Sequence, residues 1–234
     1  MKNKTLIYEI NNLKQVVNNR HTLQVGKLQI HKGTIYGIIG TVGSGKSSLL
    51  RHLAGLEKPT EGAIIYDNQE FKTNWFGKII SPKEIKYISV NGEKRNEPVS
   101  KYFSAKHGKR TEIIQKKYFN AGYRRFMWNQ PMSTLSIGEI SWVKMIDAIE
   151  SDPRVLIIDN YAVFLDNDLE RDVNRRLKNM NRNLGTTIIL SGTDNTRIQR
   201  LASVMVFLDN GHIAKVRSGN QRRDNRSYYK KSNR

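Results

Sequence analysis

The sequence predicts an α/β fold, a mostly parallel sheet covered by helices, and two observations carry that prediction. An apolar stretch, Thr34 to Ile39, runs into a glycine-rich loop, Gly40-Thr41-Val42-Gly43-Ser44-Gly45-Lys46-Ser47, which opens a helical stretch, Ser47 to Leu53. From Leu135 to Gly211 helix-length and strand-length patterns alternate, an arrangement that favours parallel strands with ligands at their C-terminal ends.

The elements follow in order. Thr5 to about Asn91 reads as strands and turns, punctuated by Gly33 and Pro59-Thr60-Glu61-Gly62, around the glycine loop and its helix. A basic middle region, to about Thr134, has helix-length stretches such as Thr111 to Asn120 and no strong strand alternation, so it reads as a helical insertion. The spacing then predicts a helix over Gly138 to Glu150 and a strand over Val155 to Ile158. A helix from Leu169 to Asn183 stops at Gly185, and a strand from Thr186 to Leu190 follows. A helix over Thr196 to Ala202 and a strand over Val204 to Leu208 complete the series.

Composition narrows the class. The 234 residues make one large or two small domains, and no apolar run approaches the roughly 18 residues needed to span a bilayer. The start, Met1 to Ile10, lacks the apolar core of a signal peptide, so a cytoplasmic product is expected. The absence of cysteine excludes disulfides and thiolate metal sites. A formal charge of +19 implies an anionic partner surface, either nucleic acid or acidic lipid. Ten Lys or Arg face three acids between Gly92 and Pro131, and seven face one from Arg217 to Arg234, so two segments hold most of the excess. Residues 220 to 234 show no apolar periodicity and read as a basic, disordered tail in which Tyr228 and Tyr229 could anchor at a membrane interface or stack on bases.

The glycine-rich loop has the chemistry of a phosphate cradle. Glycines admit backbone angles closed to other residues, so successive amide hydrogens converge on phosphate oxygens, and the following helix start adds its positive end. Gly40, Gly43, Ser44, Gly45, Lys46, Ser47 and Ser48 are the candidate nucleotide-binding residues. Lys46 would reach the β- and γ-phosphates of ATP, and Ser47 would ligate Mg2+. The strand Arg154 to Ile158 ends in Asp159, whose carboxylate is a second magnesium candidate. Leu135-Ser136-Ile137-Gly138-Glu139 stands just before a helix and just upstream of the Asp159 strand.

In this order and spacing the motifs resemble the ATP-binding cassette family, the nucleotide-binding subunits of ABC transporters, over about Leu13 to Gly219. Gly40 to Ser47 resembles the Walker A loop, with His52-Leu53-Ala54-Gly55-Leu56 and Pro59 to Gly62 as its downstream context. Leu135 to Glu139 resembles the family signature with Ile137 in place of a glycine. Val155 to Asp159 resembles Walker B, and Phe164-Leu165-Asp166 the D-loop. The fold this implies is a P-loop NTPase of ABC type: a parallel sheet core, an N-terminal antiparallel β subdomain and a helical subdomain over about residues 92 to 137, with the nucleotide-binding domain spanning 1 to 219. The resemblance also implies a dimer, with a second copy or a different ABC subunit, in which each ATP lies between one subunit's Walker loop and its partner's signature.

Positions that this family uses to run hydrolysis depart from its pattern. Asn160 stands where the family has the glutamate that takes the proton of the attacking water, and losing such a base costs about 3 to 5 kcal/mol of barrier. Thr193 falls where a histidine is expected, and Asn91 where a glutamine is expected. The aromatic that stacks on adenine is absent near Val17, with His21 as a substitute. Lys46, Asp159, Asn160, Thr193 and Asn91 are therefore the candidate catalytic set, in a site expected to bind MgATP and hydrolyse it weakly.

Two functions follow. The first is the ATP-binding subunit of a transporter whose transmembrane subunit is a separate chain, peripheral on the inner face of the cell membrane, with the tail against anionic lipid. The alternative is a soluble cassette ATPase acting on nucleic acid, whose relatives carry long coiled coils or paired cassettes that this chain lacks.

Overall fold

The structure, a computed structural model, describes residues 5–89, 96–161 and 163–219. Asn91 and the basic tail lie outside the described residues. The chain opens with two long strands, β1 (Leu6–Val17) and β2 (Arg20–His31), paired antiparallel through Asn18 and Asn19. Both asparagines take positive φ, the pairing that a tight hairpin with matching twist requires and that asparagine tolerates. β4 (Glu61–Tyr66) pairs antiparallel with β1 and is joined to the short β5 (Gln69–Glu70) by a second positive-φ pair, Asp67 and Asn68. The result is a four-stranded antiparallel sheet in the order β2-β1-β4-β5.

Five parallel strands form the second sheet: β3 (Ile35–Ile39), β6 (Ile85–Ser89), β7 (Val155–Asp159), β8 (Thr187–Gly192) and β9 (Val204–Asp209). β10 (His212–Ser218) closes the edge antiparallel to β9, giving the order β10-β9-β3-β8-β7-β6. Every residue of β3, β7 and β8 is buried, as expected of strands covered on both faces.

Alternation divides these strands between two cores. Tyr36, Ile38, Ile157, Ile189 and Val206 pack with Leu49, Leu50 and Leu53 of α1 (Lys46–Leu53) and with the antiparallel sheet. Ile35, Ile39, Leu156, Ile158, Ile188 and Leu190 pack on the other side with α5 (Ile137–Glu150) and α6 (Asn167–Leu184). Each such side chain contributes about 1.5 to 3 kcal/mol by leaving water.

Between β6 and α5 lie three short helices, α2 (Val99–His107), α3 (Thr111–Tyr118) and α4 (Gly122–Met127). Phe103, Phe119, Trp128 and Trp142 form their aromatic core. Two buried carboxylates of α5 fasten them. Asp147 takes bonds from Lys106 (2.7 Å) and the Tyr102 hydroxyl (3.0 Å) and pairs with His107 (2.8 Å), while Glu150 pairs with Arg110 (3.0 Å) and Lys117 (2.7 Å). With Arg124 near Asp172, four of the basic residues of the middle region are thus engaged inside the chain.

α6 starts at Asp166, whose side chain caps Asp168 and Leu169, and stops at Gly185 in the left-handed conformation. α7 (Asn195–Gln199) is shorter than the pattern suggests. The amides of Leu201 and Ala202 both close on the Ile198 carbonyl, tightening the chain so that Ser203 reaches Ile35 at 2.8 Å and β9 begins.

Candidate nucleotide site and family

The glycine-rich loop leaves the end of β3 and wraps over the start of α1. Gly40 is fixed by space, since a Cβ there would lie 2.3 Å from the Ser44 Oγ and 2.4 Å from the Leu208 carbonyl. Gly45 caps α1 at φ 96°, with no side-chain cap on the helix's first amides and no acid in its first turn. The loop is pinned from behind: Gly211 donates to the Ser44 carbonyl at 3.1 Å, and the first hairpin leans on it through Thr22 and Leu23 beside Gly45.

Lys46 is buried in this cradle. Its Nζ donates to the carbonyls of Gly40 (2.9 Å) and Thr41 (2.6 Å) and lies 3.4 Å from the Ser44 Oγ. Burial lowers its pKa and the charge of Asp159 works against that shift, which places the ammonium in the field of the carboxylate. Ser47 is exposed on the outer side of the loop and Ser48 half-buried.

Asp159 ends β7, buried, with a donor on each oxygen. The Ser191 hydroxyl donates to Oδ1 at 2.5 Å and the Tyr87 hydroxyl to Oδ2 at 3.1 Å. Burial raises the Tyr87 pKa, and the neighbouring carboxylate raises it further, so the phenol stays a donor. Asn160 follows in the left-handed conformation, φ 55°, and its amide donates to the same Ser191 Oγ at 3.0 Å. Ser191 thus ties the carboxylate to the backbone of the next residue. Sequence reading missed both Ser191 and Tyr87. The register that pairs Ile158 with Leu190 brings Ser191 beside Asp159, a neighbourhood set by strand alignment.

Thr193 sits exposed just past β8, one residue before the Asp194 cap of α7. Val17 and His21 are exposed at the tip end of the first hairpin.

Ser136 caps α5 in a reciprocal box, its Oγ accepting from the Glu139 amide (3.3 Å) while its own amide donates to the Glu139 carboxylate (2.7 Å). Burial works to raise the Glu139 pKa, but bonds from Tyr123 and Ser136 hold it below the usual carboxylate range. Gly138 admits no Cβ, because Phe164 O would stand 2.5 Å away. A cleft of about 730 Å³ opens here between α4 and α5, with Tyr123, Arg124, Trp142 and Phe164 in its walls. No residue of Gly40 to Ser48 lines it, so the glycine-rich loop and the start of α5 do not meet at this cleft.

A profile of the ABC transporter family matches residues 23–163. This chain belongs to the ABC transporter family. It is 29% identical over 198 residues to the spermidine/putrescine import ATP-binding protein PotA of Bacillus anthracis, covering 81% of this chain and 59% of PotA. To the methionine import ATP-binding protein MetN of Escherichia coli it is 28% identical over 212 residues, covering 80% of this chain and 57% of MetN. The chain therefore spans less than two thirds of the length of these curated relatives. Among solved structures, cbiO1 of Clostridium perfringens, part of the ABC transporter complex cbiONQ, superposes with a TM-score of 0.75 at 21% identity, covering 92% of this chain and 88% of cbiO1. A dimeric structure of the bacterial cassette MJ0796 gives 0.75 at 21% identity over 91% of this chain and 99% of the other. These likenesses establish the fold: an ABC cassette with a parallel core, an antiparallel β subdomain and a helical insertion.

Proposed function

We propose that the chain is the ATP-binding subunit of a membrane transporter, holding MgATP against Gly40 to Ser48 and hydrolysing it slowly at that site. The observation that carries the reading is Lys46 buried inside a ring of loop carbonyls, in the field of Asp159, at the C-terminal edge of a parallel sheet. A triphosphate supplies the anion that this ammonium and the uncapped amides of α1 lack.

The residues present suit magnesium. Among the described residues no cluster of three or more His, Asp or Glu could hold a metal alone. Mg2+ typically takes one or two protein oxygens and completes its shell with phosphate and water, which Ser47 and Asp159 permit. Each Asp159 oxygen keeps a free lone pair beside the hydroxyl it accepts from. Bound there, the ion would neutralise charge on the phosphates.

Asn160 stands beside this carboxylate with an amide that orients a water and cannot take its proton. The nearest titratable neighbour, Asp159, is held by Ser191 and Tyr87. Binding is thus better provided for than proton removal. The signature edge, Ser136 and Gly138, is left for a nucleotide carried by a second cassette, and two ATP molecules would then hold two subunits together by linkage.

The reading assigns the membrane-spanning part to a separate chain; among the described residues no helix is long and apolar enough to cross a membrane. That PotA and MetN are import ATP-binding proteins supports transport over action on nucleic acid.

The test is turnover of the purified chain beside Asn160→Glu and Asn160→Asp. The aspartate variant is included because asparagine and aspartate tolerate the left-handed backbone at this position, which costs glutamate about 1 kcal/mol. The reading expects at least one carboxylate variant to raise kcat by about tenfold or more. Fast wild-type hydrolysis with no gain from either variant would defeat it.

A further inference from the structure

The segment joining β5 to β6 carries a second feature, independent of the nucleotide site. Residues Phe71 to Lys83 include three lysines and no acid. At their centre a closed turn presents Trp75 and Phe76 to solvent, 88% and 76% exposed, with Ile80 and Leu56 also exposed.

The turn is built to hold that presentation. Asn74 Oδ1 accepts from the amides of Phe76 (3.1 Å) and Lys78 (2.9 Å), and the Asn74 amide donates to the Lys78 carbonyl at 2.8 Å. Thr73 and Ile79 bridge below it. The base is seated on the end of α1, where Phe71 and Ile79 pack over Gly55 and the Ser81 hydroxyl donates to the Ala54 carbonyl at 2.7 Å. The two tip rings rest on each other, centroids 4.2 Å apart and tilted by 54°. They form one apolar wedge on a preordered loop, so inserting it requires little further ordering.

We propose that this loop is an anchor for an anionic membrane surface. Tryptophan and phenylalanine at a bilayer interface, flanked by lysines at headgroup level, match the chemistry of acidic phospholipid. Lys72, Lys78 and Lys83 are all exposed and take part in no ion pair among the described residues. Single-stranded nucleic acid fits less well, because two rings 4.2 Å apart and tilted by 54° leave no gap for a base to insert between them.

Trp75 also supplies the readout, since the other two tryptophans, Trp128 and Trp142, are buried. The full chain is mixed with vesicles of phosphatidylcholine containing an equal share of phosphatidylglycerol. A blue shift of Trp75 emission and quenching by brominated acyl chains are expected, with binding at least tenfold weaker on pure phosphatidylcholine. In sedimentation, the double substitution Trp75→Ser, Phe76→Ser loses at least tenfold in vesicle affinity while keeping its thermal midpoint and its ATP binding. Three results would overturn the proposal: no association; association with Trp75 emission unchanged, which would assign it to basic residues elsewhere; or quenching of Trp75 by a single-stranded oligonucleotide at lower concentrations than by vesicles. None of these bears on nucleotide binding, so the two proposals fail separately.

Discussion

At the scale of single residues, the site is one carboxylate met by two hydroxyl donors and one ammonium held by carbonyl acceptors. Ser191 is the residue whose role exceeds its size, because one hydroxyl both donates to Asp159 and accepts from the Asn160 amide. Ser191→Ala leaves a buried carboxylate oxygen and a backbone amide short of a partner, a loss of about 1 to 3 kcal/mol. The magnesium concentration needed for half-maximal ATP binding should rise in that variant and recover in Ser191→Thr, with the thermal midpoint following the same order. An alanine variant that matches wild type in both would remove Ser191 from the site. The glycine loop and Asp159 were legible in the sequence because their chemistry is local, a few adjacent residues between a strand and a helix. Ser191 and Tyr87 were not, because their parts depend on how β6, β7 and β8 align side by side, which no local pattern records.

At the scale of elements, continuous apolar runs announced β3, β7 and β8, and Gly185 announced the end of α6. The insertion was harder. Thr111 to Asn120 read as helical and the structure forms α3 over Thr111–Tyr118, whereas α4 is only six residues long and depends on an aromatic core drawn from three other segments. Charge counting read the insertion as a surface for an anionic partner, and the structure places Lys106, Arg110, Lys117 and Arg124 against buried carboxylates.

Those carboxylates set a pH limit. Burial alone would raise the Asp147 carboxyl, but Lys106, Lys86 and His107 hold it below the usual range, and Lys117 and Tyr118 do the same for Glu150. A depressed folded-state pKa contributes stability that is complete above the unfolded value, near 4, and is lost as pH falls through the folded value. Urea midpoints should therefore be level from neutral pH down to about 5 and then fall steeply below about 4. Asp147→Asn should cost about 2 kcal/mol at neutral pH and make the acid limb shallower. An acid limb unchanged in that variant would show that the pairs do not fasten the insertion.

At the scale of the whole molecule, the fold places the two segments proposed to bind phosphate apart from each other. The Walker loop lies at the end of β3, and the signature lies at the start of α5 beside Phe164. No residue of Gly40 to Ser48 lines the cleft beside Ser136 and Gly138, which is the physical reason for proposing a second cassette. The proposal assigns the departures at Asn160 and Thr193 to the steps that move a proton, with the phosphate cradle kept. In the proposed function the chain binds MgATP tightly and hydrolyses it slowly. Calorimetric titration with MgATP, followed by chemical assay of the nucleotide retained on the protein, tests this directly. The account predicts stoichiometric binding that Lys46→Ala abolishes, with ATP as the retained species. No heat of binding in excess magnesium, or retention of ADP alone, would contradict it.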